Sequence, residues 1–331
     1  MRTSENIDHS PGTQPLVTFA LFAYNQEQYI EQAIAGAFAQ TYENLEIILS
    51  DDDSSDRTYQ IMCDAANSYS GPHRVVLNKN LQNSGIGAHV NRLMELAHGE
   101  LVVVAAGDDI SLPQRTSKIV ECWMQNDQRP MSIHSACIRI DADGNTVNTK
   151  PPTWTDRWSD IGYLIKEQPT VEGATHAWDT KAFRRFGPLL PDIVYEDKAM
   201  AFRMALVGDV KFIESQLVKY RVSVGVTRDY GRDDFRRQVF GPSAARRLTV
   251  AKQMEIDLQN YCDSHPLLPF ARRCLAYREL VYAFPDSNAR HKSRRNARSK
   301  GVSIFQIAKL YIYFYFPRLS ARLLSRRKSA I

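Results

Sequence analysis

Short apolar runs alternate with amphipathic stretches along roughly the first hundred residues of the chain. The apolar runs predict strands, and the stretches between them carry apolar residues at helical spacing. The predicted strands are Val17–Ala23, Leu45–Ser50, Arg74–Leu77 and Leu101–Ala106, and the predicted helices run from an N-cap at Asn25 to about Gln40, over Thr58–Tyr69 and over Gly87–Ala97. This order is typical of βαβ units, so we expect an α/β fold with a mostly parallel mixed sheet flanked by helices.

The pattern becomes less regular in the second half of the chain. A helix is expected between Pro113 and Trp123, a strand over Met131–Ile140 and a helix over Ile193–Leu206. The segment Pro151–Thr170 has no clean period and is expected to be a loop that covers a site. Beyond about Phe235 the sequence is helical and polar, which predicts an α-helical extension after the α/β body.

Size and composition exclude several classes of protein. The chain has 331 residues, of which 44% are hydrophobic and 24% charged, as in ordinary globular proteins. Its five cysteines lie at least twelve residues apart, so neither a metal knuckle nor a disulfide framework is indicated, and a reducing compartment is expected. The N-terminus has no apolar core of a signal peptide, and no run of eighteen apolar residues predicts a membrane span.

Positive charge is concentrated at the C-terminal end. Twelve of the 42 Lys and Arg residues lie between Arg290 and Ile331, where there is no Asp or Glu. Residues 1–289 therefore hold 30 basic against 37 acidic residues and carry about −7, although the whole chain has a net charge of +5. The positive charge thus belongs to the C-terminal segment and not to the predicted α/β body.

Carboxylates follow two of the predicted strands. Asp51-Asp52-Asp53-Ser54-Ser55-Asp56 comes after the second strand, and Asp108-Asp109 follows the apolar run Leu101–Ala106. Ligands of open α/β sheets bind beyond the carboxyl ends of the strands, and two acidic strand ends would repel each other without a cation or hydrogen-bond donors between them. Oxygen ligands of this kind suit Mg²⁺ or Mn²⁺. The alternative is that the first cluster is only a polar turn that caps the next helix.

With these motifs, the sequence resembles the inverting family 2 glycosyltransferases of the GT-A fold, in particular those of bacterial surface polysaccharides. The resemblance covers about Leu16 to Arg221 and depends on the order and spacing of its parts. These parts are Val17 to Asn25, Gln40-Thr41-Tyr42 with Glu46-Ile47-Ile48, Asp51 to Asp56 with Thr58, Asn83-Ser84-Gly85 with Ala97 to Glu100, Asp108-Asp109 with Pro113 and Arg115, Glu196-Asp197 with Arg203, and Tyr220-Arg221.

The resemblance implies roles for these residues. Asp52 is expected to bind the nucleobase, which Tyr24 and its neighbours frame, and Asp108 to meet the ribose or the diphosphate. Asp109, helped by Asp108, would bind a divalent metal, Mg²⁺ or Mn²⁺. The complete set expected to bind the nucleotide sugar is Tyr24, Asn25, Asp52, Ser54, Asn83 and Asp108.

The resemblance also implies a general base at Glu196-Asp197. Asp197 is the preferred base and Glu196 the second choice, while the alternative is an acidic first turn that only favours the helix dipole. His176 is a candidate for contact with the acceptor.

The sequence departs from the family pattern at three positions. Asp53 stands where a small residue, often Gly, is usual, and Gly107 occupies the first position of what is often Asp-x-Asp. Ser223 lies in the region where the family often has His after Tyr-Arg, so a contribution of that position to the diphosphate or the metal is in doubt.

The segment Ser303–Phe316 is apolar, aromatic and flanked by basic residues. It is too short to span a bilayer, and its composition suits the headgroup boundary of an anionic membrane. Packing of its apolar face on the catalytic domain, a solvated basic surface and nucleic-acid binding are the alternatives, and the absence of a nucleic-acid module argues against the last. Peripheral membrane association is preferred.

We therefore expect a metal-dependent inverting glycosyltransferase that moves a sugar from a UDP- or dTDP-linked donor to a glycan or a polyprenyl-diphosphate-linked acceptor. It is expected to be cytoplasmic, at the inner face of the plasma membrane, with a homodimer left open and no nucleic-acid partner. The expected organisation is a flexible N-terminus (1–14), a catalytic domain (15–232), a helical extension (233–300) and a basic amphipathic segment (301–331). The alternatives are an inactive glycan-binding or scaffold protein and a sugar nucleotidyltransferase. A nucleotidyltransferase normally has a Gly-rich phosphate loop with a Lys, and residues 17–30 contain neither Gly nor Lys.

Overall fold

A computed structural model describes residues 14–128, 131–148, 155–169, 171–222 and 239–316. These residues form an eight-stranded mixed sheet. Its strands are β1 (Val17–Ala23), β2 (Leu45–Asp51), β3 (Arg74–Lys79), β4 (Leu101–Ala106), β5 (Ile110–Ser111), β6 (Met131–Ile140), β7 (Ala177–Asp179) and β8 (Asp209–Arg221). They lie in the order β3-β2-β1-β4-β7-β6-β8-β5. Strands β3, β2, β1 and β4 are parallel, and β7 then pairs antiparallel with both β4 and β6.

The three central parallel strands are buried on both faces. Alternate side chains of β1 separate into two apolar cores, with Ala20 and Phe22 on one face and Phe19 and Leu21 on the other. This follows from the two-residue period of a strand and explains why these strands appear in the sequence as continuous apolar runs. The predicted fold class is confirmed.

Helices cover both faces of the sheet and continue beyond it. They are α1 (Ile30–Phe38), α2 (Thr58–Ser68), α3 (Gly85–Leu96), α4 (Arg115–Met124), α5 (Ile161–Glu167), α6 (Thr180–Phe186), α7 (Glu196–Val207), α8 (Pro242–Tyr261), α9 (Leu268–Ala283), α10 (Ser287–Ser299) and α11 (Ile304–Tyr315).

Two local predictions are wrong. Asn25 is not the cap of α1, because its backbone is left-handed, with φ of 51°, and the helix begins five residues later at Ile30. The segment Pro151–Thr170, which was expected to be a loop, contains α5. Asp160 caps the start of this helix, because its side chain accepts a hydrogen bond from the backbone N–H of Tyr163.

The helical region packs directly on the α/β body. Val250, Met254 and Leu258 of α8 belong to the same apolar core as Met200 and Met204 of α7. A buried ion pair between Arg203 of α7 and Asp257 of α8 reinforces this contact. The predicted boundary between catalytic domain and extension, near residue 232, lies outside the described residues, but α8 itself shares the catalytic core.

A separate apolar cluster joins α9, α10 and α11. It contains Leu280 of α9, Phe284 directly after that helix, Ala297 of α10, and Ile307 and Leu310 of α11. One face of α11 therefore packs on the neighbouring helices α9 and α10, whereas the first alternative for the tail was packing on the catalytic domain. None of the described helices combines the length and the hydropathy that crossing a membrane would require.

Candidate active site

The candidate site is built at the carboxyl edge of the parallel strands. Because Ala23 pairs with Asp51 and Phe22 with Ala106, strands β1, β2 and β4 end side by side. The backbone N–H of Asp52 donates to the carbonyl oxygen of Ala23 at 3.0 Å. The segments that follow the three strands are therefore neighbours, as expected for ligand sites of open α/β sheets.

A network of hydrogen bonds joins the loops that follow β1 and β2. The hydroxyl of Ser54 donates to Asp51 Oδ1 at 2.5 Å and accepts from the backbone N–H of Asn25 at 2.8 Å. The Asn25 side-chain oxygen accepts in turn from the backbone N–H of Ser55 at 2.9 Å. Asn25, Asp51 and Ser54 thus shape the loop, while the neighbouring Tyr24 keeps 46% of its surface exposed.

Asp52 caps the start of α3. Its carboxylate accepts hydrogen bonds from the side chain of Asn80 at 2.7 Å and from the backbone N–H groups of Ser84 and Gly85 at 3.0 and 2.9 Å. A carboxylate offers about four lone-pair positions, so one remains for a further donor such as a nucleobase N–H. Asn83, also predicted to bind the donor, is exposed and its side chain accepts from the N–H of Gly85 at 3.2 Å.

The structure explains two departures from the family pattern. Asp53 has a φ of 61°, a conformation that glycine adopts without steric cost and that Asp tolerates better than most residues. At Gly107, a Cβ would lie 2.3 Å from Gln26 Oε1 and 2.9 Å from the Cβ of Ala23. This position therefore has no room for the aspartate of an Asp-x-Asp motif. Ser223, the third departure, lies outside the described residues.

Arg221, at the end of β8, holds the acidic pair in place. Its backbone N–H donates to Asp109 Oδ1 at 2.7 Å, and its guanidinium donates to the carbonyl oxygen of Asp108 at 2.9 Å. The same guanidinium donates to the carbonyl oxygens of Asp141 and Ala142 at 2.8 and 2.7 Å.

Two contacts with α1 and its start complete the environment of Arg221. The guanidinium donates to Gln32 Oε1 at 2.9 Å and lies over the ring of Tyr29, 4.4 Å from its centroid. The Arg221 guanidinium therefore joins β8 to three other parts of the sequence, at residues 29–32, 108 and 141–142.

The acidic pair is buried and electrostatically strained. Burial and then the charge of Asp108 raise the pKa of Asp109 well above its usual value, although Arg221 and Arg115 oppose this. Burial also raises the pKa of Asp108. Beneath them, Arg115 has no exposed surface, and its burial lowers the pKa of its guanidinium to about 9.

A divalent cation fits this donor set, because it would relieve the repulsion between Asp108 and Asp109. Within the described residues, no group of three or more His, Cys, Asp or Glu side chains is arranged to hold a metal. A Mg²⁺-type site needs only one or two carboxylates, which water and substrate phosphate oxygens complete.

Glu196 and Asp197 occupy the first turn of α7. Burial, followed by the charge of Asp197, raises the pKa of Glu196 to about 8. Burial likewise raises the pKa of Asp197, while the neighbouring Lys198 lowers it. Asp197 is 7% exposed, and its Oδ1 has no hydrogen-bond partner among the described residues. A buried carboxylate oxygen of this kind is ready to accept a proton or a hydrogen bond from a ligand.

Residues on β6 and before α7 link the two acidic groups. Arg139 donates to Glu172 Oε1 at 3.0 Å, and the charge of Asp197 raises the pKa of Glu172, after the larger effect of burial. After the larger effect of burial, both Glu172 and Asp109 raise the pKa of Cys137, which reaches about 11. Geometry gives the same neighbours. Arg221, which binds Asp109, pairs with Ile140 next to Arg139. A Cβ built at Gly173, next to Glu172, would lie 3.6 Å from the Cβ of Asp197.

His176 lies in the interior next to Arg115, whose guanidinium donates to its carbonyl oxygen at 3.4 Å. It has no exposed surface, its Nε2 hydrogen-bonds with the hydroxyl of Ser132, and it packs edge-on against Trp178. Burial lowers its pKa to about 3. His176 is therefore a neutral residue of the interior, and its expected contact with the acceptor stays a prediction.

The roles of Arg221, Asn80 and the Arg139–Glu172 pair were not predicted from the sequence. Arg221 was noted only as part of a motif, and nothing local indicates that it contacts residues more than a hundred positions away. Glu172 and Asn80 are single polar residues in polar surroundings, so the sequence carries no signal for them.

Comparison with known proteins agrees with this architecture. Residues 18–190, slightly more than half of the chain, match the family described as Glycosyl transferase family 2. The uncharacterized glycosyltransferase MJ1057 of Methanocaldococcus jannaschii is 26% identical over 221 residues, which cover 63% of this chain and 71% of that protein. The uncharacterized glycosyltransferase RT0329 of Rickettsia typhi is 26% identical over 211 residues, which cover 63% of this chain and 64% of that protein.

Solved structures show the same fold. TarS 1-349 of S. aureus, in complex with UDP, superposes with a TM-score of 0.52 at 15% identity, covering 86% of this chain and 88% of that one. The mannosyltransferase PcManGT from Pyrobaculum calidifontis, in complex with GDP-Man and Mn2+, gives 0.51 at 19% identity and covers 94% and 84%. The protein belongs to glycosyltransferase family 2, has the GT-A fold and is a glycosyltransferase, as the sequence analysis predicted.

Proposed function

We propose that the protein is a metal-dependent inverting glycosyltransferase of bacterial polysaccharide synthesis, of the O-antigen or capsule type. The donor is a nucleoside-diphosphate sugar, UDP- or dTDP-linked, and the acceptor is a hydroxyl of a glycan or of a polyprenyl-diphosphate-linked saccharide. The reaction takes place at the cytoplasmic face of the membrane, where such lipid-linked acceptors lie. TarS and PcManGT, which have the same fold, were solved with UDP and with GDP-Man and Mn2+, which supports a nucleotide-sugar donor.

The observation that carries this proposal is the presence of two buried acidic groups, one at the end of β4 and one at the start of α7. Asp108 and Asp109 form a buried, mutually repelling pair at the end of β4. Asp197, at the start of α7, has a buried carboxylate oxygen without a hydrogen-bond partner among the described residues. One group suits a diphosphate with its cation, and the other suits a hydroxyl that must lose its proton.

Asp197 is the proposed general base. It accepts the proton of the acceptor hydroxyl as the acceptor oxygen bonds to the anomeric carbon and the bond from that carbon to the diphosphate breaks on the opposite side. The positive charge of Lys198 favours the ionised form of Asp197, whereas Glu196, with a pKa of about 8, holds its proton at neutral pH. General-base catalysis of this kind contributes about 10²–10⁴ in rate.

Asp109, assisted by Asp108, would hold Mg²⁺ or Mn²⁺. When bound, the cation stabilises the negative charge that develops on the leaving diphosphate. The chain positions its own carboxylates for this task through Arg221, which fixes both residues by hydrogen bonds. At the other end of the donor, Asp52 offers its remaining lone pair to the nucleobase, beside the exposed ring of Tyr24.

The experiment is a panel of nucleotide sugars incubated with the purified protein and Mn²⁺, with release of the nucleoside diphosphate as the signal. We expect slow hydrolysis of one donor, which EDTA abolishes and added metal restores. Asp109→Asn removes a negative charge from the proposed metal site and lowers this activity by about a hundredfold or more.

The matched control is Asp53→Asn, the same change in a half-exposed carboxylate on the same edge of the sheet, 3.6 Å from Lys79. It leaves hydrolysis within about twofold of wild type, because exposed ion pairs contribute little. Full activity in EDTA would refute metal dependence. If no donor is turned over or bound, with or without metal, the protein is a binding or scaffold member of its family instead.

A further inference from the structure

Helix α11 has two apolar faces, and only one of them is covered. Ile307 and Leu310 are buried in the cluster formed with α9 and α10, as expected for residues three positions apart on one face. Ile304 is 61% exposed, Phe305 83% and Tyr315 50%. A surface helix of a globular domain normally carries polar residues on its outer face, so the outer face of α11 is unusual.

A positive charge lies within this outer face. Lys309 is exposed and follows Phe305 by four positions, so the two side chains share one side of the helix. Its ammonium lies 5.2 Å from the centre of the Tyr313 ring, which keeps the long side chain along the aromatic surface. Gln306 is used by the capping box with Ser303 that fixes the start of the helix.

The neighbouring helix α10 adds more positive charge. Its residues Lys292, Arg295 and Arg298 are exposed, and the chain contains no Asp or Glu after Asp286. Helix α10 packs directly beside α11, because the guanidinium of Arg290 lies 5.8 Å from the Tyr311 ring and Arg294 donates to the Tyr311 hydroxyl at 3.5 Å. Basic and apolar exposed side chains therefore occur on two adjoining helices.

We propose that these two helices form the surface by which the protein binds an anionic lipid bilayer. This α10–α11 surface consists of Ile304, Phe305, Lys309 and Tyr315 of α11 and Lys292, Arg295 and Arg298 of α10. Its exposed apolar and aromatic side chains enter the boundary between headgroups and acyl chains, and its bases face the anionic headgroups. Helix α11 has twelve residues, which is enough to lie in this boundary and too few to span it.

Charge distinguishes the bilayer from the other possible occupants. A second copy of this chain would bring two strongly basic surfaces together, and their repulsion opposes a dimer through this face. A nucleic acid would contact the basic side chains of this surface but would leave Ile304 and Phe305 exposed to water. An anionic bilayer satisfies both the apolar and the basic part of the surface.

The test is flotation of the full-length protein with vesicles of phosphatidylcholine alone and of phosphatidylcholine with about a third phosphatidylglycerol. We expect binding to the anionic vesicles and much weaker binding to the neutral ones. Phe305→Ser lowers the partition coefficient by about tenfold or more, because it removes a large apolar side chain from the interface. Lys292→Gln lowers it by about fivefold, as expected for one charge near an anionic surface.

Matched controls come from exposed residues of α8. Ile256→Ser is compared with Ile304→Ser, since both isoleucines are exposed, and Lys252→Gln is compared with Lys292→Gln. The α8 variants bind vesicles like wild type. All substitutions are on exposed side chains, and thermal unfolding followed by circular dichroism verifies that each variant folds.

Three results would overturn the proposal. One is a wild-type protein that does not float with anionic vesicles, and another is binding that the α10–α11 variants leave unchanged. The third is a concentration-dependent dimer that Phe305→Ser dissociates, which would assign this face to a second copy. Vesicle binding is measured without any donor sugar, so its outcome is independent of the glycosyl-transfer test.

Discussion

The buried ion pair between Arg203 and Asp257 holds α7, which carries the proposed base, against α8. The guanidinium donates to both carboxylate oxygens at 2.9 Å, and neither side chain has exposed surface. Burial raises the pKa of Asp257, while Arg203 lowers it. Asp257→Ala would leave the Arg203 charge buried with two hydrogen-bond partners among the described residues, the carbonyl oxygens of Gly187 and Pro188.

The expected loss of stability is large. Breaking a buried ion pair by removing one partner costs about 3–5 kcal/mol, because the remaining charge is uncompensated. We expect about 3 kcal/mol, the lower end, since Arg203 retains its two carbonyl contacts. Typical domains are stable by about 5–15 kcal/mol, so the variant still folds, but with a strongly lowered urea midpoint.

The assay is urea unfolding followed by circular dichroism, with Glu255→Ala as the matched control. Glu255 lies on the same helix and pairs with Arg272 at 3.0 Å, but the Arg272 side chain is 44% exposed. Glu255→Ala therefore lowers the free energy of unfolding by less than about 1 kcal/mol, as is usual for exposed ion pairs. A loss for Asp257→Ala no greater than that for Glu255→Ala would refute the reasoning.

The same variant separates positioning of the base from donor binding. Helix α7 begins with Glu196 and Asp197, whereas the proposed donor site lies at the ends of β1, β2 and β4. Asp257→Ala is therefore expected to reduce kcat more than it changes the affinity for the nucleoside diphosphate. Equal losses of both quantities would mean that the damage is general.

Three further predictions concern the site itself. Asp197→Asn lowers kcat for glycosyl transfer by a factor of about 10²–10⁴. The donor affinity measured by calorimetry changes little. A larger loss of kcat in Glu196→Gln would assign the role of base to Glu196. The pKa of Glu196 is about 8 in the folded protein and 4.5 for an unperturbed carboxyl group. Between these pH values the folded state holds a proton that the unfolded chain has lost. The free energy of unfolding therefore falls as the pH rises through this interval. Glu196→Gln removes this part of the decline, and urea titrations across the interval measure it; an unchanged slope would contradict the pKa. Gly107→Ala lowers the free energy of unfolding by about 1–3 kcal/mol, because the added methyl group overpacks this position. The control is Gly162→Ala, whose Cβ would contact Asp160 at 3.4 Å. It causes no measurable loss in the same unfolding assay.

The central strands were predictable because burial on both faces leaves a continuous apolar signature. The predicted bounds of β1 and β4 are those of the structure, and β2 continues one residue beyond its prediction. Strand β8 was not predicted, because much of it is exposed and its polar and apolar residues do not alternate regularly. Helix α5 was missed because it is short and follows a stretch of prolines and tryptophans that has no period.

The candidate site was only partly accessible from sequence. Its acidic residues could be selected because they follow strands or begin a helix, and the family resemblance assigned their roles, which remain predictions. The contacts that organise them were not accessible, because Arg221 reaches Asp109 across 112 positions of the chain. Burial of His176 was equally invisible, since a lone histidine carries no signal of its surroundings.

The contacts of Arg221 have a practical consequence for fragments of this protein. The match to the family ends at residue 190, so a shortened chain designed from it would omit β8. Such a fragment retains Asp108 and Asp109 but lacks the guanidinium and the backbone N–H that hold them. During synthesis on the ribosome, too, this corner of the molecule can close only after the chain has grown past residue 221.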